Sequence, residues 1–300
     1  MRIRSRPFVP VLIVLPVCGA PAQETTDPAA PFSNHRPMWH PDGASMVFMS
    51  TRDGGENEWD LYTMHLDGTG LKRLTDHAGW DGYAMFSPDG RRLAFDRRDD
   101  TDGERVMIRN MESGVESLLY DASGHSAGGG RFSPDGARIV LTIERDDNRE
   151  IYTIGLDGSN LRRLTDTPAK EADPCFAPDG ASIVFATWMD GFTNIELMDA
   201  DGRNRRLVRK VGGRAYGLDW SPDGARIVFN ADDGEDDSEL YIMNADGAGM
   251  KKLTDNDAWD HLPVFSPDGR HLLFTSYRSG VEEICMMDPD GATVVRIRTD

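Results

Sequence analysis

The sequence is poor in cysteine, in basic charge and in long apolar runs. Its 300 residues hold three cysteines, Cys18, Cys175 and Cys285, too few to staple a small scaffold. No C-x-x-C pair offers a thiolate framework for structural zinc. Lysine and arginine number 33 against 51 acids, a net charge of -18. That leaves no basic field to displace counterions from a phosphate backbone, excluding the usual route to nucleic acid and docking on anionic lipid. The apolar stretch Phe8–Val17 is broken by Pro10 and Pro16 and falls far short of the roughly 20 residues of a membrane-spanning helix. Helical periodicity is missing as well.

What is present begins with a leader. Arg2, Arg4 and Arg6 precede the apolar stretch, and Ala20-Pro21-Ala22 follows it. This basic, apolar, small-x-small order predicts a secretory signal peptide over residues 1–22, cleaved after Ala22, and a periplasmic or secreted protein. Lipidation at Cys18 is the weaker expectation, because Val17 stands where such signals carry a small residue. Cys175 and Cys285 fall in different repeats and are expected as buried free thiols.

Beyond a lead over residues 23–36, the chain is repetitive. Pro-Asp-Gly recurs at Pro41, Pro88, Pro134, Pro178, Pro222 and Pro267, at spacings of 47, 46, 44, 44 and 45. Such a period marks a repeat architecture. An aromatic stands two residues before each proline: Trp39, Phe86, Phe132, Phe176, Trp220 and Phe265. Proline presets φ and glycine accepts the left-handed conformation, so each tripeptide joins two strands tightly. Next comes a run apolar on both faces, from Met46-Val47-Phe48 to Leu272-Leu273-Phe274. A third strand and an Asp-Gly hairpin lead to a fourth strand anchored by Leu74, Leu119, Leu164, Val208, Leu253 and Ile297.

Strands apolar on both faces must be covered on both sides, which radially arranged sheets achieve. The expected fold is all-β, a six-bladed β-propeller of four-stranded antiparallel blades over 37–300, with blades starting near 37, 84, 130, 174, 218 and 263. No strand is evidently shared between the termini, so closure is expected to rest on packing of blade on blade, with Gln23–Asp27 available for a short edge pairing.

The unit F-S-P-D-G-x-x-I-V-F … I-Y-x-M-x-x-D-G … L-T, clearest over Phe132–Thr165 and Trp220–Thr254, resembles the PD40 or TolB-type propeller repeat. The likeness is to the C-terminal propeller of TolB without its N-terminal domain. It implies a non-catalytic platform of the cell envelope that binds an envelope or secreted protein, or a small ligand at the channel mouth. Similar repeats occur in oligogalacturonate lyases and beside the hydrolase domain of some serine peptidases. The alternative is therefore a metal-dependent carbohydrate-active lyase or hydrolase.

Site candidates come from the segments that join successive blades, which differ most between repeats. They carry Arg36; Trp80, Asp81 and Tyr83; Glu171 and Asp173; Arg214 and Tyr216; Trp259 and Asp260. Aromatics mixed with charge suit a protein interface or a sugar-binding surface. His35, His125 and His261 fall in the same segments and are the expected ligands of a transition metal under the alternative reading. Gly124-His125-Ser126-Ala127-Gly128 fits the nucleophile-elbow pattern, but a strand, not a helix, is expected after it. The acidic segments Asp53–Glu58, Asp99–Glu104, Asp146-Asp147 and Asp232–Glu239 are candidates for weak calcium binding, without the spacing of an EF-hand. No cofactor is otherwise expected.

Overall fold

A computed structural model describes residues 32–54, 58–99, 103–189, 191–232, 237–291 and 293–299. The leader with Cys18, the Gln23–Asp27 segment and parts of the acidic segments lie outside them. Among the described residues, 24 strands form six antiparallel four-stranded sheets, each built from four consecutive strands. No helix occurs among these residues. The six-bladed propeller follows directly from the repeat.

The second strand of each blade shows why the blades must stack. Met46, Val47 and Phe48 are all fully buried, yet they face opposite ways. Met46 and Phe48 join Val264, Leu273 and Ile284 of blade 6. Val47 joins Phe86, Leu93 and Phe95 of blade 2. Each fully buried aliphatic or aromatic side chain is worth roughly 1.5–3 kcal/mol. A blade cut from its neighbours would expose both faces.

The Pro-Asp-Gly turns are uniform. Their glycines hold φ between +68° and +72°. At four turns a serine before the proline donates its hydroxyl to the aspartate at 2.6 Å (Ser87, Ser133, Ser221 and Ser266). Those serine hydroxyls, with backbone N–H groups, hold Asp89, Asp135 and Asp223 below the usual carboxylate range.

Among the described residues no strand is shared across the closure. Asn34 donates its backbone N–H to the Glu282 carbonyl at 2.9 Å and its side-chain amide to Thr299 Oγ1 at 3.0 Å. Trp39 Nε1 donates to the Val264 carbonyl at 3.2 Å, and Arg52 donates to the Thr299 carbonyl at 2.8 Å. Blade-on-blade packing closes the ring, as the repeat pattern implies.

Strand starts differ from expectation. The inner strands are Asn34–Trp39, Trp80–Phe86, Ser126–Phe132, Lys170–Phe176, Ala215–Trp220 and Asp260–Phe265, three or four residues earlier than the apolar pattern suggests. The hidden residues are polar but buried. Asp81, Glu171 and Asp260, each seven positions before its proline, are at most 1% exposed. Each is paired with arginine: Asp81 with Arg97 at 2.7 Å, Glu171 with Arg205 at 2.6 Å and Asp260 with Arg278 at 2.7 Å. A second set stands at the start of third strands. Glu150 accepts from Arg163 at 2.8 Å, and Thr165 Oγ1 accepts the Ile151 N–H at 2.9 Å. Asp60 with Arg73 and Thr75, and Glu239 with Lys252 and Thr254, repeat that arrangement. The recurring basic-Leu-Thr sequence is thus a latch between third and fourth strands.

Removing one partner from a buried pair strands the other. Burial already pushes the Asp81 carboxyl above its usual range despite Arg97. Arg97→Ala is therefore expected to cost about 3–5 kcal/mol, read as a lowered midpoint in urea unfolding. A loss below about 1 kcal/mol would show that Asp81 does not depend on this partner.

Candidate functional site at the channel mouth

Every inner strand is interrupted once, at the same place. The ladder to the second strand shifts between His35 and Met38, Gly82 and Met85, Gly128 and Arg131, Ala172 and Cys175, Tyr216 and Asp219, and His261 and Val264. Within each β-bulge, the residue five positions before the proline has positive φ: Arg36, Tyr83, Gly129, Asp173, Gly217 and Leu262, between +50° and +68°. Six bulges bend six inner strands around one axis.

Neighbouring blades hold four of these bulges through their freed N–H groups. Arg36 N–H donates to Thr275 Oγ1, Gly129 N–H to Asp96 Oδ2, Gly217 N–H to Asp173 Oδ2 and Leu262 N–H to Asn230 Oδ1, at 2.8–3.0 Å. Asp96, Asn230 and Thr275 all follow the buried aromatic of their second strand, so one side-chain position in one blade clamps the bulge of the next. Gly128 is needed for the approach, since a Cβ there would lie 2.2 Å from Asp96 Oδ2.

The clamp separates the candidates by register. Asp81, Glu171 and Asp260 are interior members of inner strands, each paired with arginine. Trp80, Arg214 and Trp259 stand eight positions before their prolines, at the outer edge. Trp259 is 52% exposed, and the Arg214 guanidinium lies 4.9 Å from the Trp188 ring centre. Arg36, Tyr83 and Asp173 are the bulge residues themselves, and Tyr216 is half-buried beside its bulge. Arg36 covers the Tyr83 ring at 3.8 Å, Tyr83 lies 5.2 Å from Trp80, and Arg98 lies 5.0 Å from Trp80. A stack of two guanidinium groups and two aromatic rings therefore runs outward from the channel.

Deeper in the channel, on the Pro-Asp-Gly side of the bulges, Arg131 of blade 3 reaches Asp219 of blade 5 at 2.7 Å. Asp219 also accepts the Phe265 N–H at 2.9 Å. Burial raises the Cys175 thiol beside them to about 11, so it stays protonated. Cys175 and Cys285 are both free and buried, as the sequence implies.

The three histidines do not converge as a set. His35 and His261 do meet, with ring centroids 5.1 Å apart. His125 instead shares a hydrogen bond of 2.9 Å with Tyr120 Oη, in the turn between blades 2 and 3. In its place stands Glu282, which sequence reasoning missed; its Oε1 lies 3.8 Å from His35 Nε2. Ser126 opens the inner strand of blade 3 and donates to Glu104, so the elbow-like motif is strand, turn and strand. Among the described residues, the acidic segments do not gather three ligating groups: Asp53 accepts from Tyr62 Oη at 2.7 Å, and Asp99 pairs with Arg105.

Six radial four-stranded sheets, each with a Pro-Asp-Gly turn between its first and second strands, define the class: a six-bladed β-propeller. A family model described as the TolB beta propeller domain, PD40, matches residues 98–229 and 187–300, and the chain belongs to that family. The Tol-Pal system protein TolB of Anaeromyxobacter dehalogenans is 28% identical over 130 residues, 40% of this chain and 27% of that relative. The match thus spans about a quarter of the relative's length. Among solved structures, TolB from Acinetobacter baumannii superposes with a TM-score of 0.71 at 18% identity, covering 89% of this chain and 63% of the other. An oligogalacturonate lyase in complex with manganese gives a TM-score of 0.60 at 18% identity, covering 86% and 90%. At these identities the structures speak for the fold. No helix among the described residues is long and apolar enough to cross a membrane.

Asp96 provides a test of the clamp. Burial raises its carboxyl to about 7, opposed by the Gly129 N–H, and its Oδ1 has no hydrogen-bond partner. The folded state therefore holds a proton that the unfolded chain, with an aspartate near 3.9, releases. Stability contributed at this site is highest below about pH 4 and falls as pH rises to about 7. Asp96→Asn, which supplies the same acceptor as Asn230 in blade 5, should remove that slope and gain on the native protein from pH 4 to 7 by on the order of a few kcal/mol. Parallel stability–pH curves for the two proteins would refute the clamp's titration.

Proposed function

We propose that the protein is an exported, TolB-like binding platform of the cell envelope, whose channel mouth receives a segment of an envelope or secreted protein. The observation that carries this reading is the Arg36–Tyr83–Trp80–Arg98 stack. Arginine, tyrosine and tryptophan are enriched among binding hot spots, the two aromatics because they bring large contact area with a polar edge at low entropic cost. Tyr83 presents 37% of its surface to solvent while its backbone is fixed by the bulge, so the anchor is pre-organised. The relatives named as Tol-Pal proteins support an envelope partner, and the leader over residues 1–22 supports export to the periplasm.

A second reading, a metal-dependent carbohydrate-active enzyme, draws on the fold of the manganese-bound lyase and on the meeting of His35 and His261. It is weaker, because His125 stands apart. Manganese-dependent cleavage of a uronate polymer that disappears in His261→Ala would put this reading first.

Affinity capture of envelope proteins on the purified chain tests the platform. Loss of a hot spot worth about 2 kcal/mol lowers affinity roughly thirtyfold, so Tyr83→Ala and Trp80→Ala should each release the captured partner. Trp259→Ala, in blade 6, reports how far the surface extends. Retention of every partner by both Tyr83→Ala and Trp80→Ala would rule out this mouth as the binding surface.

A further inference from the structure

Six positions before each proline, immediately ahead of the bulge, stand His35, Gly82, Gly128, Ala172, Tyr216 and His261. Only two of these six equivalent positions carry imidazole, and they belong to blades 1 and 6, neighbours only because the ring closes. Their rings meet edge to face at 5.1 Å. Glu282, at the start of the third strand of blade 6, joins them through the backbone bond from Asn34 N–H to its own carbonyl. The ligating atoms of His35, His261 and Glu282 all lie within 4.8 Å of one another.

The cluster lacks what a plain polar contact would have. His261 is 9% exposed, and its Nε2 is buried without a hydrogen-bond partner. His35 Nε2 and Glu282 Oε1, at 3.8 Å, are too far apart for a hydrogen bond. A buried ring nitrogen without a partner, a second imidazole beside it and a carboxyl 3.8 Å from that imidazole are an unfinished set.

We propose that His35, His261 and Glu282 bind a divalent transition ion of the zinc class, and that this ion clasps the first blade to the last. Two imidazoles and one carboxylate are a ligand set zinc accepts, with a fourth position left for water. Ligand atoms around a tetrahedral zinc ion are about 3.3 Å apart, so binding draws the group together from within 4.8 Å. The His35 and Glu282 side chains are 22% and 26% exposed, giving the ion a path from solvent. Trp59 stands edge-on to His35 at 6.0 Å and limits where that ring can swing. One ligand comes from blade 1 and two from blade 6, so the ion joins the first and last blades of the ring. This inference is independent of what the mouth binds.

The test uses chelator-stripped protein and zinc alone. Calorimetry should show one equivalent bound, with affinity at least tenfold weaker in Glu282→Gln and lost in His261→Ala, while His125→Ala binds as the native chain does. Zinc at about one hundred times its dissociation constant should raise the native Tm by roughly 5–10 °C, and the rise should vanish with binding. Cobalt substitution should give the absorption of a tetrahedral site in the native protein, an observation that needs no variant to fold. Absent stoichiometric binding, or binding unchanged in Glu282→Gln, overturns the site. Binding at these residues with no rise in Tm overturns the clasp.

Discussion

No blade of this protein can keep both its faces dry alone. Every second strand is apolar on two sides, and the side chains that face left and right pack into different clusters belonging to different neighbours. The constraint is cyclic. Each sheet depends on two others, and the first and last blades satisfy it only by meeting. Closure is therefore the same interaction as the rest of the fold, made once more between residues far apart in sequence. Among the described residues no strand crosses the seam, and side chains hold it: Trp39, Asn34 and Arg52 all engage blade 6 there.

Around the axis the problem changes from covering apolar surface to satisfying backbone. A bulge frees one N–H per blade at a depth where water is scarce, and a buried donor without a partner costs about 1–3 kcal/mol. The acceptors are borrowed from the neighbouring blade, which ties the curvature of each inner strand to the position of the next sheet. Asp96, Asn230 and Thr275 perform one task with three chemistries. The bulges and the blade packing are thus coupled, and the mouth inherits the rigidity of the whole ring.

The repeat made the fold legible: proline, aspartate and glycine at fixed spacing, and three consecutive apolar residues, each have one physical reading here. The inner-strand starts were not legible. Asp81, Glu171 and Asp260 look like loop residues because buried carboxylates are rare, and their arginines lie up to 34 positions away in sequence. His35 and His261 were readable as a pair once the ring was assumed closed. Glu282 was not, since one acid among 51 carries no signal until the seam puts it beside two imidazoles. The bulge had a readable marker, five residues before each proline, but only two of the six positions are glycine.

That last fact bears on function. Positive φ at a residue other than glycine costs about 1–3 kcal/mol, and Gly129 and Gly217 show that the bulge itself asks only for glycine. Arg36, Tyr83, Asp173 and Leu262 hold the same conformation with side chains attached. Leu262 is buried and Asp173 clamps Gly217, so those two return part of the strain as packing and hydrogen bonding. Arg36 and Tyr83 return it mainly through the stack of their side chains at the mouth, while the Arg36 N–H also bonds Thr275 of blade 6 across the seam. That strain sits where the proposed partner would bind. The same logic separates the two ends of the channel: Arg131 and Asp219 span one with a buried ion pair, while the other ends in an open stack of guanidinium and aromatic rings. A partner of the proposed kind would meet the stack at the second.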